Sequence, residues 1–459
     1  MGTATSRMEI AEALAFAAVE LTYDDIPIEV RAALKMHFID AYGCALGAVD
    51  ADAVCAARRV AHELGGAGGS SLIGTVDRCR PDMAAFANGV AIRYLDYCDV
   101  FMGKEITPPA AYLSGVLAVA EYMSTSGREL VVGLAVLYET LLRLCTAASL
   151  RARGWDTVSF GAIASAAAVS RVLSLTFEET REAIAIATVG GPGLLQTRVG
   201  ELSMWKGAAS AEAARQGVVA GFLGRAGMTG PHASFEGEYG VMHQVTGSFA
   251  LPPADLERIK RVVIKKYPAQ ICTQAAIEAA LRIRARNRGH SPIASVEVYT
   301  FARAVELTAS GPERWTPTTR ETADHSLPYV VSAALLDGCI TAKQFAIRRI
   351  MDADIHELMS KVRVHEDPDY TTVFPEQSPS RVEIRLDSGD VLSEELFCVA
   401  GHPKCPATAR DVEEKFVALA TDLLGDAAAG RLVRQLQAVD SLPDVSNAVQ
   451  HFTMQGETG

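Results

Sequence analysis

The chain has 459 residues, of which 49% are hydrophobic and 21% charged, and its formal net charge at pH 7 is −12. This length exceeds what one hydrophobic core supports and predicts two or three domains, while the composition excludes a disordered chain. The acidic balance disfavours nucleic acid and anionic membranes as partners. An acidic small substrate stays compatible with it, because a local cluster of lysines and arginines sets the field inside a cleft.

The nine cysteines are scattered along the chain and include no CxxC pair. An odd number in this arrangement is typical of reduced thiols in a cytoplasmic protein and not of a disulfide framework or a thiolate metal site. We expect no signal peptide, because the first residues lead directly into an amphipathic helix. The most apolar regions, 130–150 and 160–175, are interrupted by Glu139, Arg143 and Arg171, so they are predicted to be core helices and not membrane spans.

Helical periodicity dominates the first half of the chain. Apolar residues at helical spacing predict helices over these segments: 8–21, 28–46, 81–92, 109–123, 129–150, 160–175, 177–189 and 207–225. Small residues at the end of the second helix, Gly43, Ala45 and the following Gly47, would let another helix approach closely.

The pattern changes after residue 251. Residues 260–268 form an extended basic segment, and residues 295–301 alternate as a strand does. Residues 381–386 and 391–399 enclose a Gly-containing turn, which predicts a β-hairpin. Further helices are predicted over these segments: 272–285, 326–336, 341–351, 409–425 and 427–438.

These patterns predict a mainly α protein with a large all-helical domain and a smaller α+β domain. The helical domain is formed by both chain ends, residues 1–254 and 403–459. The α+β domain is inserted between them as residues 255–402.

Residues 88–112 carry an unusual number of ionisable groups for a segment between two apolar helices. Asp96 and Asp99 are three residues apart, so on a helix their carboxylates would share a face, with Arg93 and Lys104 nearby. Burying such groups costs free energy unless they are paired or used. The segment is therefore a candidate site, and the alternative is a solvated loop in which one Asp caps a helix.

A set of short motifs extends in order from residue 39 to residue 329. They are Ile39-Asp40 with Gly43, Asn88-Gly89, Arg93-Tyr94-Leu95-Asp96, Gly154-Trp155-Asp156, Glu201-Leu202-Ser203-Met204-Trp205-Lys206-Gly207, Gly227-Met228-Thr229-Gly230-Pro231, Lys266-Tyr267-Pro268-Ala269 and Ala323-Asp324-His325-Ser326-Leu327-Pro328-Tyr329. In this order they resemble the MmgE/PrpD family of dehydratases and decarboxylases, which also reaches an epimerase.

The resemblance implies a helical domain with an inserted α+β lid, an active site in the cleft between them, and a homodimer. It also implies elimination or decarboxylation of small carboxylic acids without a cofactor. By motif, Asp96, Lys206, Lys266 and Tyr329 correspond to active-site positions of the family.

The sequence departs from the family pattern at three histidines. The family's His-Pro is here Thr107-Pro108, its Gly-x-Asp-His ends here in Asp156-Thr157, and Cys272 stands where a further His is expected, although Gln274 persists. Imidazole is the side chain best suited to move a proton near neutral pH. The family chemistry therefore does not transfer unchanged.

The remaining candidates have both a chemical and a structural interpretation. Asp96 or Lys266 could act as the base and Tyr329 as the acid, while a capping Asp and a buried Tyr are the structural alternatives. Lys206 lies among small and apolar residues, where an ammonium needs a partner, and with Arg198 it could anchor a substrate carboxylate.

Weaker candidates for contact with the substrate complete the set. They are Arg93, Lys104, Thr107, Asp156, Thr157, Cys272, Gln274 and His325. For Asp156 and Thr157 helix capping is the stronger interpretation of at least one, and for Cys272 a plain buried thiol. The ten histidines show no HxxxH or HxH grouping, so no metal site is predicted.

Three functions fit the sequence. The first is a cofactor-independent lyase that abstracts a proton next to a carboxylate and then expels water or CO2. The second is an epimerase or isomerase of a dicarboxylic acid, which needs opposed acid and base groups but no acid for a leaving group. The third is a diverged enzyme, of cyclase type, or a binding protein for a larger and less charged molecule.

Overall fold

The computed structural model describes residues 8–287 and 291–446, and its secondary structure is mainly α, as predicted. Its α-helices are α1 (Ile10–Glu20), α2 (Ile28–Leu46), α3 (Asp52–Gly65), α4 (Pro81–Tyr94), α5 (Leu113–Tyr122), α6 (Gly127–Ala147), α7 (Val158–Val172), α8 (Phe177–Gly190), α9 (Trp205–Arg225), α10 (Gln274–Arg286), α11 (Ala302–Thr308), α12 (Arg320–Ala323), α13 (Leu327–Asp337), α14 (Ile347–Ile350), α15 (Ala353–Ser360), α16 (Pro368–Val373), α17 (Ala409–Leu424) and α18 (Asp426–Gln437).

The strands are short and lie in small sheets. They are β1 (Ser70–Ser71), β2 (Arg78–Cys79), β3 (Val100–Met102), β4 (Ile106–Thr107), β5 (Trp155–Asp156), β6 (Gly193–Leu194), β7 (Val262–Val263), β8 (Ile293–Thr300), β9 (Val362–Glu366), β10 (Ser380–Leu386) and β11 (Val391–Leu396).

The larger hydrophobic core is formed by helices α1 to α9 together with α17 and α18. Helix α9 packs closely on α4 and α7 because small residues face the contacts. A Cβ atom on Gly217 of α9 would lie 2.3 Å from the Cβ atom of Ser165 on α7, which only a glycine avoids.

The C-terminal helices lie against the start of the chain. Helix α17 packs on α2, where a Cβ atom on Gly43 would lie 3.0 Å from Cδ2 of Phe416. The small residues at the end of α2 therefore do admit another helix, as predicted. Since α17 lies beyond the second core in the sequence, the two ends of the chain share one core.

A second core surrounds a four-stranded sheet of order β11-β10-β8-β9. The predicted hairpin is confirmed as β10 and β11, which pair antiparallel from Ser380↔Leu396 to Arg385↔Val391. Strand β9 pairs parallel with β8. Its short alternation of two valines with Arg363 and His365 was not recognised as a strand. Helices α10 and α13 pack together in this unit, with α10 against the hairpin. The lid role of the unit stays a prediction.

One local prediction is wrong. The helix expected over 341–351 is divided at Ala346, whose ψ of 138° is extended, so that a 3-10 turn and the short α14 replace it. Helix α4 ends at Tyr94, and Asp96 and Asp99 consequently share no helix face. Asp99 points into the larger core instead.

Cys398 and Cys405 form a disulfide, so the expectation that every thiol is reduced is wrong for this pair. The chain reverses between them at Gly401, whose φ is +98°, and a bridge between His402 and Cys405 closes the turn. Their separation in the sequence gave no sign of this reversal. The other seven cysteines are free, and the cytoplasmic location stays a prediction.

Within the described part of the chain, α6 is long and apolar enough to cross a membrane. Its most apolar window is 94% buried inside the protein, as a core helix would be.

Candidate active site

A cavity of about 110 Å³ lies where the two cores meet. Its walls come from the segment after α4, the segments before α7 and α9, the residues after β7, and the second unit. Six basic and three acidic side chains line it, namely Arg93, Arg151, Arg198, Lys265, Arg303 and Arg314, and Asp96, Glu105 and Asp156. The cavity is thus basic inside a protein of net negative charge, which favours an anionic ligand.

Asp96 lies in the turn after α4 in the left-handed region, at φ +50°, which few residues other than Gly adopt. Its carboxylate holds this backbone geometry through several cations. Arg93 Nη1 lies 2.9 Å from one oxygen and Lys206 Nζ 3.1 Å from the other. Lys265 binds both the carboxylate and, at 2.8 Å, the backbone carbonyl. Strain of this kind persists only where the surroundings enforce it.

The charge state of Asp96 follows from these contacts. Burial by itself raises the pKa of this carboxyl, but Arg93, Lys265 and Lys206 together outweigh burial and hold the pKa well below its ordinary value. Asp96 is therefore an ionised anchor and a poor base. The sequence prediction that offered it as a base is replaced by a positioning role.

Lys265, and not Lys266, occupies the cavity. Strand β3 pairs with β7 through Val100↔Val263, and this pairing brings Lys265 beside the turn that holds Asp96. Successive side chains of an extended segment point in opposite directions. Lys266 therefore points outward, where it is 44% exposed and bonds Glu278 at 2.7 Å. The assignment of Lys266 to the site was off by one residue.

Asp324 and His325 lie in the turn between α12 and α13, in the second unit. His325 Nδ1 lies 2.5 Å from Asp324 Oδ1 and 3.3 Å from Lys206 Nζ. An ionised carboxylate only accepts hydrogen bonds, so we assign the proton to Nδ1, which donates to Asp324. Nε2 then keeps its lone pair, bonds none of the described residues, and belongs to a ring that lines the cavity.

His325 is neutral at ordinary pH. Burial, helped by the charge of Lys206, lowers its pKa to about 4. Asp324 stays ionised because Lys206 and His325 outweigh its burial and lower its pKa. Lys206 Nζ bonds the Asp324 oxygens at 2.7 and 3.0 Å, and Arg320 lies 3.2 Å away. We call Asp96, Lys206, Lys265, Asp324 and His325 the cavity cluster.

The ammonium of Lys206 takes the place that a metal ion would need. Asp96, Asp324 and His325 could reach a common ion, since their ligand atoms lie within 4.8 Å of one another. Lys206 Nζ, however, already lies within 3.3 Å of all three. A second cation at the same point would face an unscreened ammonium, so the donor set does not fit a metal.

Arg198 and Asp156 form a second pair on the cavity wall. Arg198 Nε donates to Asp156 at 2.7 Å, and its Nη1 donates to the carbonyl of Lys206 at 2.6 Å. Asp156 also accepts from the backbone N–H of Val158, the first residue of α7, at 3.1 Å, whereas Thr157 at the N-cap position makes no side-chain cap. Thr157 lines the cavity beside it.

Several sequence candidates lie outside the cavity. The hydroxyl of Tyr329 donates to the carbonyl of Gln344 in the second core, so Tyr329 is not placed to act as the acid. Burial raises the pKa of Cys272 to about 12, which makes it a plain thiol. Gln274 bonds the backbone of Lys266 and Tyr267 and shapes that loop.

Two candidates in the segment of residues 88–112 also lie outside the cavity. Lys104 is exposed and donates to the carbonyl of Ala147 at 2.8 Å. Thr107, at the position of a family histidine, is fully buried next to Tyr112 and is absent from the cavity lining. Neither placement supports substrate contact.

A second buried ion pair, which we call the back pair, lies behind the cavity cluster. Lys415 of α17 bonds Asp40 of α2 at 2.6 Å, and Asp40 raises its pKa above the ordinary value although burial acts in the other direction. The same ammonium donates to the carbonyl oxygens of Tyr97 at 2.7 Å and Lys265 at 2.9 Å. Helix α17 therefore holds both segments that carry Asp96 and Lys265.

Comparison with known proteins identifies the family. Residues 12–253 match the MmgE/PrpD N-terminal domain, and residues 267–439 match the MmgE/PrpD C-terminal domain. The chain belongs to the MmgE/PrpD family. Cis-aconitate decarboxylase of Homo sapiens is 28% identical over 388 residues, 80% of this chain and 79% of that protein.

Two further relatives are dehydratases. The 2-methylcitrate dehydratase of Escherichia coli (strain K12) is 27% identical over 347 residues, 69% of this chain and 70% of its own length. Alkylcitrate dehydratase phiI of Fungal sp. is 28% identical over 425 residues, 83% of this chain and 82% of its own. Decarboxylases and dehydratases of this kind are lyases, and this MmgE/PrpD protein is an enzyme of the same general type.

Sequence reasoning missed several residues of the site. From the sequence, Lys266 was chosen in place of its neighbour Lys265, and Asp324 was included only as part of a motif. Arg151, Arg303 and Arg314 carried no local signal, because a lone arginine in a polar segment reads as a surface charge. The Asp-His dipeptide was the one available sign, since a carboxylate next to an imidazole is a common way to orient it.

Proposed function

We propose that this MmgE/PrpD enzyme abstracts a proton next to a carboxylate of a small organic acid and then either expels water or, after loss of CO2, returns the proton to the carbon left behind, without a cofactor. The observation that carries the proposal is the Asp324–His325 pair, which presents a neutral imidazole nitrogen to a basic cavity. The relatives named above act on cis-aconitate, 2-methylcitrate and alkylcitrate by their names, so small acids of this kind are the first substrates to test.

The groups of the cavity have separate roles in the proposed reaction. Arg198 and Lys265 bind a substrate carboxylate as charge-assisted donors. His325 Nε2 accepts the proton from the adjacent carbon, and Asp324 stabilises the imidazolium that forms, as a carboxylate partner does in other acid–base sites. The ammonium of Lys265 stabilises the negative charge that develops on the carboxylate and donates a proton to a departing hydroxyl.

The cavity favours this reaction over the third function that fits the sequence. A larger, weakly charged substrate would leave the buried guanidinium of Arg314 without compensation, and it would have to fit a space of about 110 Å³. An epimerase would use the same imidazole, and only the product distinguishes it from a lyase.

The test is incubation with a panel of hydroxylated and unsaturated di- and tricarboxylic acids in D2O, followed by NMR. We expect loss of water or CO2 from at least one acid, and a fall in rate of about 100-fold or more for His325→Gln. His356→Gln, in α15 of the same unit, is the matched control. A His325→Gln enzyme of wild-type rate, or a panel without any conversion, would contradict the proposal, and proton exchange without net conversion would favour an epimerase.

We include a homodimer in the proposal. Large apolar side chains that are about half exposed or more cluster in one stretch, namely Val189, Leu194, Val199, Met204 and Trp205. Such a surface is commonly covered in an assembly. Analytical ultracentrifugation at micromolar concentration should give twice the mass of the chain, and a monomer would contradict this part.

A further inference from the structure

Arg314 differs from the other buried cations of the site. It ends the 3-10 turn Pro312–Arg314 in the second unit and is only 5% exposed. Its backbone is held next to the catalytic turn, because the hydroxyl of Ser326 donates to its carbonyl. Ser326 follows His325 directly and also caps α13 by accepting from the N–H of Tyr329 at 3.1 Å. Arg314 and His325 are therefore fixed relative to one another.

Arg314 is one of the residues that line the cavity, and its guanidinium has no hydrogen-bond or ion-pair partner among the described residues. Its Nη1 atom is sealed from solvent without an acceptor. Burial accordingly lowers the pKa of Arg314, and the attraction of Glu313 and Asp324 only partly offsets this. Asp324 cannot serve as its partner, since it already binds Lys206 and His325.

The neighbouring cations show how unusual this is. Arg93 has Asp96, Arg198 has Asp156, and Arg320 has Asp324. A buried charge without a partner costs several kcal/mol, so an unpaired guanidinium at a cavity wall indicates a missing anion. A planar fork of N–H donors fits a carboxylate in two-point contact.

We propose that Arg314 binds a carboxylate of the substrate, one that is distinct from the group held by Arg198 and Lys265. The proposal rests on the proposed function only in taking the ligand to be an acid. It makes the second unit a direct part of substrate recognition, and it implies a substrate with at least two anionic groups.

The test measures binding and not turnover, so that it stands apart from the reaction. The probes are succinate, glutarate and propane-1,2,3-tricarboxylate, which carry no leaving group, with the corresponding neutral amides as controls. Calorimetry should show that Arg314→Met weakens binding of the preferred acid by at least about 30-fold, while Arg314→Lys retains part of it. Arg348→Met, an exposed arginine of the same unit, should bind as the wild type does.

Thermal unfolding separates a binding role from a structural one. Removal of an unpaired buried charge should leave the Tm of Arg314→Met at or above that of the wild type, and the acid should raise the Tm of the wild type but not of this variant. The proposal is overturned by undiminished binding in Arg314→Met, by a markedly lower Tm, or by a wild type that binds none of the acids. If acids bind through Arg314 while His325→Gln keeps full activity, the proposed reaction fails and the binding site stands.

Discussion

The cavity cluster and the back pair are two buried Asp–Lys sites in contact with each other, and they use their charges differently. In the cavity cluster, Asp96 and Asp324 divide the ammonium of Lys206, and His325 is left with a free nitrogen at the cavity. In the back pair, the ammonium of Lys415 also donates hydrogen bonds to two backbone carbonyls. Neither Asp40 nor Lys415 lines the cavity.

This difference shows how to separate chemistry from structure in a buried polar network. Burial is similar in both sites, since all five carboxylate and ammonium groups of these ion pairs are almost fully enclosed. A functional role requires a group with unused hydrogen-bonding capacity that faces space for a ligand. His325 and Arg314 meet this condition, whereas Asp40 and Lys415 do not.

The largest expected effect is that of Asp324→Asn. The amide donates to Nδ1 and so favours the wrong imidazole tautomer, and we expect kcat to fall by about 10³–10⁴-fold. Asp40→Asn should leave the tautomer of His325 unchanged and act on stability instead. Steady-state kinetics of both variants, with unfolding curves, test this contrast, and a similar kcat loss in both would erase the distinction between the sites.

Lys415→Met should have the largest effect on stability. It leaves Asp40 buried without a partner, so the free energy of unfolding should fall by about 3–5 kcal/mol in urea titrations. The double variant Asp40→Asn/Lys415→Met should regain part of this loss, because it leaves no buried charge. A single variant within about 1 kcal/mol of the wild type would show that the back pair holds nothing in place.

The lowered pKa of His325 should be visible in the pH dependence of the free energy of unfolding. In the unfolded chain a histidine titrates near pH 6.5, whereas here the pKa is about 4. Between these values the unfolded state binds the extra proton, so the free energy of unfolding falls by up to about 3 kcal/mol as the pH drops from 6.5 to 4.

The control for this pH effect is His325→Gln, which lacks the titrating group. Asp96 and Asp324, which face the ring, have lowered pKa values and titrate mainly below this range. The stability curves of wild type and variant, measured by urea unfolding at several pH values, should therefore diverge between pH 6.5 and 4. Parallel curves would show that the imidazole is not held neutral.

The smallest of the four expected effects separates two adjacent lysines. Lys265→Met removes a partner of Asp96 and a cavity cation, and kcat/KM should fall by about 100-fold. Lys266→Met removes an exposed ion pair with Glu278, which contributes at most about 1 kcal/mol, and should leave kcat/KM unchanged. Equal losses of kcat/KM in both variants would contradict the assignment of Lys265 to the cavity side and Lys266 to the outer side of the extended segment.

Much of the fold was predictable because it depends on periodicity. Apolar residues at helical spacing identified most of the large helices, and alternation around a Gly turn identified the β10–β11 hairpin. The division of the helix at Ala346 was not predicted because the local apolar pattern continues across it. Strand β9 was not predicted although its five residues alternate, because so short a pattern is a weak signal.

The amino-acid sequence by itself determined the mainly α character of this protein, its family, and the presence of Asp96, Arg198 and His325 near a site. Only the tertiary structure decided which groups meet. Pairing of β3 with β7 turned Lys265 inward and Lys266 outward, and burial against Gln344 removed Tyr329 from the chemistry. The physical reason is that proton affinity and charge compensation depend on distance and burial, and residues far apart in the chain, such as Asp96, Lys206 and Asp324, acquire both only on folding.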